Sequence, residues 1–321
     1  MRAEDIVAPV QSELAALDRL LASVSEVDQA PLGRMLGHVL GSRGKRLRPA
    51  LVFLVAKLCD ADTEPFLPLA AAVEALHTAT LVHDDMIDNA HTRRGRTTLN
   101  VLVGNRASVL AGDYLFARAA AFAAQAGNLQ VMTTFANVLM EICDGELRQL
   151  FGTGCRLISR SEYFRRIEQK TAALFSATTE MAAVLSGAED SRVRALRKYG
   201  YHLGLAFQMA DDILDFVGGE QELGKPVGND LRQGTITLPV ICLSETMADS
   251  PVLERLAAGE ASDGDLAAIV QMVRANGCIE RARAEAEEQV DLALQLLSIF
   301  PASQARWSLE QMARFSLHRT S

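Results

Sequence analysis

No proline interrupts the chain between residues 69 and 225, and apolar positions recur there at intervals of three and four rather than two. That period sets the apolar side chains along one face of an α-helix. The segments LFARAAAFAAQ, NVLMEICDGELRQLF, FRRIEQKTAALFSATTEMAAVL and LRKYGYHLGLAFQMADDILDFV read as core helices, and alternating β-branched strands joined by Asn-Gly or Asp-Gly turns are missing. Ser159 followed by Glu162 is the signature of a capping box that opens one helix, while Gly127-Asn128 and Gly187 are stop signals for others. The uncharged stretch from Ala119 to Met140 has the length of a membrane span. Gln125, Gly127, Asn128, Gln130, Thr133, Thr134 and Asn137 break it, which favours a pair of core helices. Toward the C-terminus, ADSPVLERLAAGEASDGD reads as a surface excursion and ERARAEAEEQVDLALQLL as a charged amphipathic helix. Long helices with short connections predict an all-α fold, a large antiparallel helical bundle in a single domain over residues 1–321.

Composition narrows the class. With 321 residues, 49% of them hydrophobic and 22% charged, the chain can bury a large core and is not a disordered polymer. Its net charge of −8 argues against nucleic acid as a partner, because a nucleic-acid binder carries an excess of basic residues on one face. The 5 cysteines, Cys59, Cys143, Cys155, Cys242 and Cys278, form no C-x-x-C pair and fall mostly in apolar stretches, so buried free thiols of a reducing cytosol are expected and no zinc site. The N-terminus lacks the basic start and apolar run of a signal peptide. A soluble cytoplasmic protein without a transmembrane segment is therefore expected, with peripheral contact at a membrane left open.

One internal echo carries chemistry. Asp84-Asp85-Met86-Ile87-Asp88 and Asp211-Asp212-Ile213-Leu214-Asp215 repeat one D-D-x-x-D pattern, each at the end of an apolar helical run. Residues four apart lie about 40° apart around a helix, so Asp84/Asp88 and Asp211/Asp215 each set two carboxylates on one face. Such a like-charge pair costs a helix roughly 0.2–0.5 kcal/mol unless a cation sits between them. Hard oxygen ligands, few in number and with room for water, suit Mg²⁺ shared with a substrate phosphate. A solvated helix end would also carry such a cluster; two identical clusters in apolar surroundings are harder to ascribe to solvation. Basic runs accompany them: Gly44-Lys45-Arg46-Leu47-Arg48-Pro49, and Arg93-Arg94-Gly95-Arg96 one short loop after the first cluster. Arginine forks grip phosphate oxygens in pairs and lysine supplies a movable charge.

These residues resemble the trans-type, head-to-tail isoprenyl diphosphate synthases. The likeness covers nearly the whole chain in order: GKRLRP, EALHTATLVHDDMID, RRGRTT, GDYLF, ICDGELRQL, EQKTAALF, AFQMADDILD and GKPVGNDLRQGTITLP. It implies a single-domain helical bundle around a deep central cavity, the isoprenoid synthase fold, and a homodimer. It implies that Asp84, Asp85, Asp88, Asp211 and Asp215 hold Mg²⁺, three ions per site, on the diphosphate of an allylic substrate. Arg93, Lys170 and Lys225 would complete that site with Asp212. Isopentenyl diphosphate would be gripped by Lys45, Arg48, His77 and Arg94, and Thr171 and Gln208 match positions whose polar atoms face a developing carbocation. Arg46 matches the motif with no substrate contact assigned. Arg43 stands where many relatives have a second glycine. His77 is expected to donate to phosphate, and His83 to be a satisfied helix-end histidine.

The resemblance also places product length on side chains upstream of the first cluster, where an aromatic would block elongation. Here those positions are Leu76, Ala79 and Thr80, none aromatic. On an ideal wheel Thr80 lies about 40° from Asp84 and Ala79 about 140° away, so Ala79 as the floor rests on the resemblance alone. A product of six or more isoprene units is expected, as for the side chain of a respiratory quinone. The alternatives are a shorter-chain farnesyl or geranylgeranyl diphosphate synthase, a terpene cyclase, and a non-catalytic subunit of a heteromeric synthase. The all-Asp second cluster and GKRLRP disfavour the cyclase, and the completeness of both clusters disfavours the subunit.

Overall fold

A computed structural model describes residues 3–41, 44–93, 95–151, 157–217, 227–247 and 249–317. In chain order the helices are α1 Ala3–Val7, α2 Gln11–Ser23, α3 Ala30–Leu40, α4 Leu47–Leu58, α5 Leu67–Ile87, α6 Leu99–Val103, α7 Asn105–Gln125, α8 Leu129–Phe151 and α9 Arg160–Ile167. They continue as α10 Ala173–Leu185, α11 Asp190–Val217, α12 Asn229–Arg232, α13 Leu238–Thr246, α14 Pro251–Ala258, α15 Asp263–Ala275, α16 Cys278–Leu297 and α17 Gln304–Leu317. A π-helical turn, Glu168–Ala172, joins α9 to α10. The all-α expectation holds, with one addition: β1 Thr92–Arg93 and β2 Arg96–Thr97 form a small antiparallel hairpin. Two residues per strand are too few for period-two alternation to register in a sequence.

The expected punctuation is present. Ser159 Oγ accepts from Glu162 N–H and the Glu162 carboxylate accepts from Ser159 N–H, closing the capping box at α9. Gly127 and Gly187 adopt positive φ and end α7 and α10, and the first of them splits the uncharged 119–140 stretch into two helices. The one helical stretch among the described residues that is long and apolar enough to cross a membrane is Glu64–Ile87, and 67% of its most apolar window is buried inside the protein.

Contacts group the chain into two compact units, one of residues 1–137, 177–196 and 300–309, the other of 138–176, 197–299 and 310–321. In the first, α4 is buried on all sides from Pro49 to Ala56 and α5 from Leu69 to Leu76, which makes them its central helices. There α5 packs along α7 and against α4, α2 and α3. In the second, α13 is buried from Leu238 to Leu243, packs on α16, α15 and α9, and shares one apolar core with Tyr163, Ile167, Leu205, Met209, Ile213 and Phe216 of α9 and α11. Two of the described cysteines, Cys242 and Cys278, are buried as expected; Cys59 is half-buried and Cys143 exposed. Cys143 lies on an outward face of α8, a correction to the expectation from its apolar neighbours.

Candidate functional site

In the first unit, α5 carries Asp84, Asp85 and Asp88 out on its last turn. Asn89, at φ +49°, stops the helix: its N–H and that of Ala90 close on the carbonyls of Met86 and Asp85 at 3.3 and 2.8 Å. This is a Schellman termination with asparagine in the left-handed position. Asp84 is half-buried, Asp88 exposed, and the backbone bond from Asp88 N–H to Asp84 O confirms that they share a face. Asp85 turns inward and accepts from Arg93 Nε at 2.6 Å. Beyond it the hairpin is stitched to the end of α5: Thr98 Oγ1 donates to Ala90 O, and Asn100 Nδ2 to the carbonyls of Asp85 and Ala90.

The basic residues of GKRLRP separate by role. Arg46, itself left-handed at φ +49°, is ion-paired to Glu74 and to Asp18 and approaches Leu40 O at 3.4 Å. Its guanidinium therefore anchors the start of α4 to α2 and α5. Arg48 instead lies 3.2 Å from His77 Nε2, so two residues matched to an isopentenyl diphosphate site stand together. Lys45, three residues before Arg48, is exposed. His83 is held by Val109 O at 3.2 Å and Asp113 at 3.6 Å, a satisfied histidine as expected. It also explains the glycine of GDYLF, since a Cβ on Gly112 would lie 2.2 Å from the His83 ring. Leu76 and Ala79 are fully buried, whereas Thr80 is half-buried and donates to His77 O.

In the second unit, Asp211, Asp212 and Asp215 occupy the last two turns of α11. Asp211 and Asp215 are half-buried, while Asp212 is buried and accepts from Tyr163 Oη at 2.8 Å and Gln208 Nε2 at 2.9 Å. The Gln208 amide thus turns its oxygen to Thr171 Oγ1, 2.6 Å away. Burial raises the Asp212 carboxyl to about 7, against the two hydrogen bonds that lower it. Asp215 accepts from the backbone N–H groups of Asn229 and Asp230 at 3.1 Å each, a use of the GND residues that the sequence did not reveal.

Lys170 and Thr171 sit in the π turn, whose extra residue re-aims side chains and recurs at functional sites. Two close approaches seat it: a Cβ on Gly145 would meet Gln169 Cβ at 2.7 Å, and one on Gly204 would meet Ala172 Cα at 2.5 Å. Asp144 accepts from Gln169 Nε2 at 3.0 Å and Glu146 pairs with Lys170 at 3.3 Å, so the DGE of ICDGELRQL holds the turn from α8. Arg94 and Lys225 lie outside the described residues.

Both acidic clusters stand at the negative ends of their helices, where a carboxylate is disfavoured by about 0.3–1 kcal/mol. A bound cation reverses that sign. Among the described residues no three ligating side chains converge as a ready-made metal cage. Paired carboxylates with room for water are nonetheless the donor set of Mg²⁺, which binds through one or two carboxylates and substrate phosphates. The residues fit that ion.

The profile of the family Polyprenyl synthetase matches residues 29–273. The chain is 38% identical over 308 residues to the heptaprenyl diphosphate synthase component 2 of Geobacillus stearothermophilus, covering 95% of each. It superposes with a TM-score of 0.91, at 36% identity and over 100% of both chains, on a decaprenyl diphosphate synthase from Rhodobacter capsulatus. A polyprenyl synthase from Caulobacter crescentus CB15, complexed with calcium and isoprenyl diphosphate, matches with a TM-score of 0.92 at 34% identity, over 100% of this chain and 98% of that one.

Proposed function

Because the chain belongs to the polyprenyl synthetase family and is a trans-prenyltransferase, we propose that it condenses an allylic diphosphate with isopentenyl diphosphate repeatedly, head to tail with trans double bonds. The product is a polyprenyl diphosphate of six or more isoprene units, and diphosphate is released at each step. The observation that carries this reading is the pair of carboxylate clusters at the negative ends of α5 and α11, each disfavoured without a cation.

In this reading Asp84, Asp85, Asp88, Asp211 and Asp215 bind Mg²⁺, three ions per site, which supplies charge neutralisation to the leaving diphosphate. Arg93, Lys170 and Lys225 bind the allylic diphosphate. Lys45, Arg48, His77 and Arg94 bind isopentenyl diphosphate. The allylic C–O bond breaks with its electron pair leaving on diphosphate, the isopentenyl double bond attacks the carbocation, and a proton is lost to the departing diphosphate. Thr171 and Gln208 present oxygens to the cation. Asp212 acts through Gln208, whose amide it orients.

The long-chain product is supported by the names of the relatives and by the absence of an aromatic residue at Leu76, Ala79 and Thr80. The test is to incubate the purified protein with farnesyl diphosphate, labelled isopentenyl diphosphate and Mg²⁺ and to size the dephosphorylated products. Six or more units are expected, and Ala79→Phe should shorten them; a farnesyl- or geranylgeranyl-only profile overturns the long-chain reading. The protein is further proposed to be cytoplasmic, a single domain and a homodimer. Exposed apolar side chains in the first unit, among them Leu102, Leu110 and Leu129, support a self-association surface. The relative named component 2 makes a second component the alternative, and activity of the chain purified alone decides between them.

A further inference from the structure

His38, on α3, is held between two groups of the β1–β2 hairpin. Its Nε2 lies 2.8 Å from Thr97 O and its Nδ1 3.4 Å from an Arg96 Nη. A carbonyl only accepts and a guanidinium only donates, so the tautomer that satisfies both donates from Nε2 and accepts at Nδ1.

The placement of this contact gives it meaning. Two residues on, α3 ends at Leu40, whose carbonyl faces Arg46, and the chain runs into the Lys45–Arg48 segment. On the other side, the hairpin carries Arg93, bound to Asp85. His38, His77, Asp85, Arg93 and Arg96 line one recess of the first unit. An isolated two-stranded hairpin is marginal in water, so its position depends on tethers. Thr98, Asn100 and Arg93 tie it to the end of α5, and His38 ties it to α3.

We infer that His38 is a positioning residue: it fixes the arginine hairpin against the helix that leads into the Lys45–Arg48 segment, and so sets the grip on isopentenyl diphosphate. The inference rests on the proposed prenyl transfer and assigns a role to a side chain outside the substrate contacts.

Steady-state kinetics with each substrate varied separately test it, on wild type, His38→Leu, His38→Gln, Arg96→Ala and the His38→Leu/Arg96→Ala double variant. Leucine keeps the volume and removes both hydrogen bonds. Glutamine restores one donor and one acceptor. His38→Leu should raise the KM for isopentenyl diphosphate roughly five- to thirty-fold, the equivalent of one or two hydrogen bonds, with kcat changed far less and the allylic KM raised by a smaller factor, because Arg93 on the same hairpin stays tied to Asp85. His38→Gln should recover most of the loss. Arg96→Ala, on an exposed residue that leaves the helices untouched, should raise the same KM and combine with His38→Leu less than additively. Three results overturn the inference: an isopentenyl KM unchanged in His38→Leu, equal impairment in Leu and Gln, or full additivity with Arg96→Ala. Absence of turnover in the wild type would instead strike the proposed function.

Discussion

Asp-Asp-x-x-Asp ends α5 and ends α11, yet the two copies spend the middle carboxylate differently. Asp85 pairs with a guanidinium on a hairpin that the chain forms immediately afterwards. Asp212 is buried and accepts from a phenol and an amide. Of the outer members, Asp84, Asp211 and Asp215 are half-buried and Asp88 is exposed. One pattern therefore contains two kinds of residue. In both copies the middle carboxylate is recruited by whatever the surrounding fold packs there. In the first cluster that recruit orders a loop of arginines. In the second it fixes the Gln208 amide and, through it, Thr171 in the π turn.

The comparison can be broken in several places. The largest effect is expected from Asp84→Ala and Asp211→Ala, each of which should lower turnover by about 10³-fold or more while leaving the far-ultraviolet circular dichroism unchanged. Near-normal turnover in either would remove that residue from the metal site.

A smaller effect separates Asp212 from the rest by pH. Its carboxyl is raised to about 7 by burial, so the folded protein holds a proton that the unfolded chain releases near the ordinary carboxylate value. The contribution of this group is therefore most favourable below that ordinary value and is lost as pH rises through about 7. In chelator, Asp212→Asn should gain stability relative to wild type, by up to a few kcal/mol, as pH climbs from about 4 to 7, with a constant difference above. Urea unfolding across that range reads it; a pH-independent difference would show that Asp212 titrates normally.

Smaller again are two glycines that seat the cluster helices. Gly204→Ala pushes a methyl group against the Ala172 backbone, and Gly112→Ala pushes one against the movable His83 ring. The first should destabilise by about 1–3 kcal/mol, the second by less, and His83→Ala should relieve the second alone. Equal losses would mean that the two seats are equally rigid.

Much of this was readable in advance for a physical reason. Helices bury one face at a fixed period, so α7, α8, α10 and α11 could be drawn from the sequence, and the Ser159 box and Gly127 stop act within a few residues of themselves. The clusters were equally visible, because spacing alone puts Asp84 with Asp88. What stayed hidden depends on partners distant in the chain. Nothing local distinguishes Asp212 from Asp211; Tyr163, 49 residues earlier, makes the difference. Arg46 and Arg48 look alike until Glu74 and His77 divide them. The π turn has no periodic signature of its own, and its glycine seats come from α8 and α11. The exposure of Cys143 likewise depends on which face of α8 is covered.

The Mg²⁺ dependence of turnover in Asp211→Asn and Asp212→Asn, neighbours in one cluster, tests the division of labour most directly. Asp211→Asn should need several-fold more Mg²⁺ for half-maximal rate. Asp212→Asn should follow the wild-type Mg²⁺ curve even where its maximal rate is lower. An equal shift in both would contradict the assignment of metal binding to Asp211 and of amide positioning to Asp212.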